Sequence, residues 1–196
     1  GEVTVTATSG EFSSSLDFTV VSEIPNPVVY SESFEDMVLG SNPEGWAVVN
    51  QEVHAANNYS GGKIVSDKAA DGKNSLKLVS IPEAEGRVEF TFDQPLVHNK
   101  LSLDIFKVHE QRENVNIELH NDNGRVFGLF ISASGNLRHR KPDGGNEASP
   151  NNASNDKWYT IEFQWDDSKQ TYFVYAIVDG ERIEVTPAGG SPYEVA

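Results

Sequence analysis

Apolar and polar residues alternate with a period of two in short runs along this chain, and Gly, Asn, Asp and Pro interrupt them roughly every 8 to 15 residues. The runs from residue 28 onward are VVYSESF, WAVVN, KIVSD, SLKLVS, RVEFTF, LSLDIFKV, VNIELHN, VFGLFISA, LRHRK, WYTIEFQWD, YFVYAIVD and RIEVT. No window carries a 3.6-residue period, so helix is expected to be scarce. Successive side chains of a strand face opposite ways, and this sorts the residues. In VNIELH, Val115, Ile117 and Leu119 share one face, and Asn116, Glu118 and His120 the other. In WYTIEFQWD, Tyr159, Ile161, Phe163 and Trp165 oppose Trp158, Thr160, Glu162 and Gln164, which assigns Trp165 to the core. The expected inner residues are Phe34, Leu78, Phe90, Leu103, Ile117, Leu119, Ile161, Phe163 and Ile177. Asn123-Gly124 reads as a type I′ hairpin turn and Asp179-Gly180 as another tight closure. The segment KPDGGNEASPNNASND, 141–156, is polar enough to be expected as a long surface loop.

The first residues form a pattern of their own. EVTVTAT and SLDFTVV alternate Val and Thr on either side of SGEFSS, which predicts a hairpin within residues 1–24. This stretch resembles the last two strands of bacterial immunoglobulin-like domains. Pro25 and Pro27 remove backbone donors, so 25–29 is expected to be a linker.

A second resemblance covers residues 30–185 of a domain expected over 30–196. The Phe-Glu pair in SESFEDMVLGSNPEGWAVVN, the Gly45-Trp46 step and the later DGKNSLKL follow the order that opens jelly-roll carbohydrate-binding modules. WYTIEFQWD followed by YFVYAIVDG is similar to concanavalin A-like and laminin G-like sandwiches. The resemblance implies an all-β jelly-roll (concanavalin A-like) β-sandwich of two antiparallel sheets. It also implies a non-catalytic carbohydrate-binding module of a larger secreted, bacterial polysaccharide-degrading enzyme, with other domains of the same polypeptide as partners. The alternatives are a jelly-roll lyase or glycosidase domain, and an adhesion or spacer domain. Such modules end on an Asp-rich strand that has no counterpart before GGSPYEVA, so the last strand is expected to be missing. In these modules the Glu of the Phe-Glu step binds structural calcium, which points to Glu35, with Glu32 and Asp36 as neighbouring oxygens.

Composition narrows the classes. The 196 residues have 30 carboxylates against 15 Lys and Arg, a formal charge of -15, which disfavours nucleic acid as a partner. No apolar run approaches the ~20 residues of a membrane helix. With no cysteine there is no disulfide or thiolate site, a usage compatible with an extracellular address. Catalytic patterns are missing: the E-x-D-x-(x)-E string of retaining glucanases, the lyase strings Q-x-H and Y-x-K-x-G-x-Y-x-Q, and the G-x-S-x-G elbow of serine hydrolases. His109, His120 and His139 lack metal-binding spacing. What stands out is LRHRK, a basic cluster in an acidic chain. Arg138 and Arg140 share a face, and two guanidinium forks could clamp a uronate of an anionic polysaccharide. Glu118 and His120 on the polar face of VNIELH, with Trp46 and the loop residue Tyr59 as stacking aromatics, complete the expected carbohydrate-binding set.

Overall fold

The strand WYTIEFQWD builds the core as its alternation predicts: Tyr159, Ile161, Phe163 and Trp165 are buried, and Trp158, Thr160 and Gln164 between them are partly exposed. The computed structural model describes residues 2–9, 12–19, 28, 30–93, 100–108, 114–142, 144–152 and 156–193. The chain divides into two compact units, Gly1–Ser33 and Phe34–Ala196. In the first, β1 (Glu2–Ser9) and β2 (Phe12–Thr19) pair antiparallel, with Ser9 opposite Phe12, so the strands run through most of SGEFSS. The expected linker at 25–29 lies outside the described residues apart from Val28.

The second unit opens with small elements: β3 (Ala47–Val48), α1 (Gln51–Ala56), β4 (Gly62–Val65), β5 (Ser75–Leu78) and β6 (Val88–Glu89). β3 pairs with β6, and β4 with β5. Their core is thin. His54, Ile64 and Ala84 are buried, and the rings of Phe34, Trp46, Phe90 and Phe92 touch in sequence. Gly61 makes room for His54, because a Cβ there would lie 2.7 Å from the imidazole.

The sandwich follows, from β7 (Lys100–Phe106), β8 (Val115–Asn121), β9 (Gly124–Ile131), β10 (Asn136–Arg140), β11 (Asn146–Asn152), β12 (Trp158–Asp166), β13 (Thr171–Val178), β14 (Glu181–Glu184) and β15 (Ser191–Pro192). One sheet has the order β11-β10-β9-β8, the other β14-β13-β12-β7 with β15 on β13. The four-stranded sheet is a meander, and it is inserted between β7 and β12, neighbouring strands of the other sheet. All the ladders are antiparallel, giving the expected all-β two-sheet class. Phe127, Leu129, Ile131 and Leu137 from one sheet meet Tyr159, Ile161, Phe163, Trp165, Tyr172, Val174 and Ala176 from the other. Phe127 stacks on Tyr172 with centroids 4.7 Å apart, and the Tyr172 hydroxyl donates to the Arg140 carbonyl.

Several expectations are corrected. Leu103, Ile117, Leu119, Ile161 and Phe163 belong to the sandwich core, but Phe34 and Phe90 pack in the small lobe and Leu78 is half exposed. Ile177 faces outward, because β13 packs inward through Tyr172, Val174 and Ala176. Residues 30–34 form no strand. NEASPNN, within the expected surface loop, is the edge strand β11. An edge strand needs a partner on one side only, so it tolerates polar residues and Pro150. The β8–β9 turn is centred on Asp122-Asn123, with Gly124 already in the strand at φ 120 and a bulge beyond it. At Asp179-Gly180, where a tight closure was expected, φ values of 52 and 79 give a primed turn.

Candidate binding face of the four-stranded sheet

β10 alternates strictly. Leu137 and His139 point inward and are buried, while Asn136, Arg138 and Arg140 point outward. Cross-strand pairs then assemble the outer face in rows. Asn116 lies opposite Phe130, which lies opposite Arg138, which lies opposite Ala148. In the next row Glu118, Gly128, Arg140 and Asn146 follow one another across the four strands.

Gly128 determines what happens in that second row. A Cβ there would come within 2.5 Å of the Ile117 carbonyl oxygen and 3.2 Å of Glu118, so no other residue fits this close approach. With no side chain between them, Arg140 reaches across β9 to Glu118 Oε1. The same carboxylate oxygen accepts from Arg125 Nη1 at 3.1 Å, and Oε2 lies 3.1 Å from His120 Nε2. Arg140 also donates to Asn116 Oδ1 at 2.7 Å and to Asn146 Oδ1 at 3.1 Å. Arg125 donates to the Lys141 carbonyl. Partial burial pushes the Glu118 carboxyl up, but His120, Arg140 and Arg125 together pull it down further, and it sits below its ordinary value.

Arg138 behaves differently from its neighbour. Its Nε is buried without a hydrogen-bond partner, and its guanidinium makes no hydrogen bond or ion pair with any described residue. Directly across the ladder is Phe130, whose ring centroid lies 5.7 Å from Arg140 Cζ. The face thus presents an aromatic ring, two amides, one carboxylate and three guanidiniums, one of them unsatisfied. It can accept a planar anion at Arg138 and hydroxyl groups at the amides.

Four of the residues singled out in the sequence, Glu118, His120, Arg138 and Arg140, gather on this face. Asn116, Arg125, Phe130 and Asn146 join them, and of these Asn116 was legible as sharing the polar side of its strand. Arg125 and Asn146 come from a bulge and an edge strand that carry no periodic signal. Trp46 and Tyr59 lie in the small lobe. Trp46 packs between Phe34 and Phe90, and Tyr59 is exposed just after α1.

Glu32, Glu35 and Asp36 stand at the entry to the small lobe. Among the described residues no group of three or more His, Asp or Glu is placed to hold a metal ion. Glu35 Oε1 instead accepts the backbone N–H groups of Lys73 and Asn74 at 2.8 and 2.7 Å, which lower its pKa, and Asn74 Nδ2 returns a bond to the Phe34 carbonyl. Both N–H groups stabilise the ionised Glu35 carboxylate through Oε1. Glu35 is a clip that ties the start of the lobe to the loop before β5. His109 lies outside the described residues. No family model, no curated protein and no solved structure matches the chain.

Proposed function

We propose that this chain is a non-catalytic carbohydrate-binding module that recognises an anionic polysaccharide through the outer face of its four-stranded sheet. The observation that carries the reading is Arg138: in a chain with twice as many carboxylates as cations, it has no described partner. The ordinary fate of a strand arginine in an acidic protein is an ion pair, and Arg140 and Arg125 both meet it at Glu118. A uronate carboxylate would satisfy Arg138 in a bidentate, charge-assisted way, while Phe130 offers a ring to the apolar face of a sugar. The reading needs a sheet face and not a jelly-roll connectivity. Linked to a secreted catalytic domain, such a face would act by raising its local concentration at the polymer.

Affinity electrophoresis through gels containing polyuronates or neutral glycans tests this. Retardation by a polyuronate, lost in Arg138→Ala and weakened by salt, is the expected result. Equal mobility in every gel would leave a spacer domain, and the release of unsaturated or reducing ends by the purified chain would make it an enzyme.

A further inference from the structure

The two flanks of the sandwich are finished differently. Ser149 and Asn151 of β11 donate to the Glu184 carbonyl of β14, so these two edge strands close one flank together. β7 and β8 are the edges on the other flank. Their inward side chains, Leu101, Leu103, Ile105, Val115, Ile117 and Leu119, pack on the core but stay only partly buried. β11 is blunted as an edge by Pro150 and by a register shift against β10, and β14 by Glu181, Arg182 and Glu184. β7, KLSLDIF, has no Pro, no Gly and no bulge over its seven residues.

The ladder fixes where the free backbone groups of β7 point. Val185 N–H donates to the Val174 carbonyl, and Val174 N–H donates to Thr186 Oγ1, so both main-chain groups of Val174 face away from β12. Phe163, opposite Val174, therefore turns its own groups toward β7 and bonds Leu101. Alternation carries this along the strand: Leu101 and Leu103 bond β12, while Lys100, Ser102, Asp104 and Phe106 aim their N–H and C=O groups at the open edge. Among the described residues none of these four has a backbone partner on that side. The side chains of Lys100, Ser102 and Asp104 are exposed. They are arranged symmetrically, with Lys100 two positions before Ser102 and Asp104 two after it. Antiparallel pairing of two copies centred on Ser102 sets each Lys100 opposite the other copy's Asp104 and Leu101 opposite Leu103. Centring on Asp104 would set carboxylate against carboxylate, and centring on Leu103 would give neither charge a partner.

We infer that the chain forms a two-fold dimer in which β7 pairs antiparallel with β7 of a second copy, centred on Ser102, so that the two larger sheets become one. The occupant of the edge is a second copy because the charges of the edge complement themselves. Lys100, half exposed beside Glu162, can turn to the second copy's Asp104 while Arg182 stays on Glu162. A two-fold axis normal to the sheet puts both four-stranded sheets on the same side, where their outer faces can meet one polymer together. That consequence rests on the outer-face reading, and the dimer does not. Sedimentation velocity at about 0.15 M salt, where a Debye length of about 8 Å screens the net charge of -15, tests the dimer without any glycan. A reversible shift from 21.5 kDa toward the dimer is expected as concentration rises through the micromolar range. Over the same range the Ser102 and Asp104 amides should gain hydrogen-exchange protection, whereas those of Leu101 and Leu103, bonded to β12, are protected throughout. Ser102→Pro removes an N–H that β12 does not use, so it should abolish the dimer and keep the fold. Asp104→Lys and Lys100→Asp should each weaken the dimer about tenfold by setting like charges opposite one another. Mixed together, these two variants should associate with each other, because every facing pair then carries opposite charges; this arm decides even if Ser102→Pro loses its fold. A single 21.5 kDa species up to about 1 mM overturns the inference and leaves the edge to a strand of another protein. A dimer that survives Ser102→Pro uses another surface, and one that is blind to both charge variants uses another register; either result overturns it as well.

Discussion

The outer faces of the two sheets are made of the same ingredients and reach opposite ends. On the five-stranded sheet Arg182 lies 3.6 Å above the Tyr175 ring and pairs with Glu162 at 3.2 Å, and Lys100 closes on the same buried carboxylate. Tyr175 in turn stacks on Phe173. Every charge in that group has a partner in the protein. On the four-stranded sheet one carboxylate, Glu118, serves Arg125, Arg140 and His120, while Arg138 has no described partner. An arginine beside an aromatic ring is therefore no sign of a ligand by itself. What separates a structural face from a receptive one is whether the donors have already been answered.

The comparison can be broken most strongly at Gly128. Gly128→Ala puts a methyl group against the Ile117 carbonyl and is expected to cost about 2–3 kcal/mol, seen as a lower urea midpoint at unchanged slope. A silent Gly128→Ala would mean that the sheet gives way and that the Glu118–Arg140 bridge does not depend on the gap.

The next effect concerns Arg138 and Arg182 together. Arg138→Ala should weaken polyuronate binding at least about tenfold, as for a charge-assisted hydrogen bond, and change stability by less than about 0.5 kcal/mol. Arg182→Ala should do the reverse: a loss of about 1 kcal/mol for a half-exposed cation–π and ion pair, with binding intact. If Arg138→Ala unfolds the protein more than Arg182→Ala, the two faces have been read the wrong way round.

A smaller effect depends on pH. Glu118 has a folded pKa below its ordinary 4.5. Its contribution is therefore complete above that value and is lost as pH falls through the folded one. Denaturant melts from pH 7 to pH 3 should show this loss in the parent and a shallower one in Glu118→Gln. The surrounding groups His120, Arg125 and Arg140 are partly exposed, so solvent screening keeps the difference to about 1 kcal/mol or less. The smallest expected effect is none: melting should be the same in millimolar calcium and in chelator. A calcium-dependent rise abolished by Glu35→Gln would instead assign a cation to this carboxylate, whose Oε1 is held by the Lys73 and Asn74 N–H groups.

Strand periodicity made the sandwich core legible, because a strand buried on one face must alternate. That holds for Ile117, Leu119, Ile161, Phe163 and Trp165. It failed where burial did not follow from the strand pattern. Phe34 sits at φ 63 outside any strand, and Phe90 follows a two-residue strand, so their packing depends on how the small lobe folds. β11 was hidden because edge pairing uses the backbone and leaves composition free. For the binding face, alternation was enough to put Arg138 with Arg140 and Glu118 with His120. Their meeting across β9 was not legible, since it turns on the absence of a side chain at Gly128.

The insertion of one sheet within the other has a consequence for the order of events in time. β8 and β9 close over a two-residue turn, whereas the Asp104–Thr160 contact between β7 and β12 spans 56 residues. The entropy of closing a loop rises with its length, and distant pairings slow folding. The four-stranded meander can form early as a local event and shorten the path that β7 must close. During refolding, amides along β8 and β9 should gain exchange protection before those that join β7 to β12. The last seam to be sewn in this protein is then the one that makes its larger sheet whole.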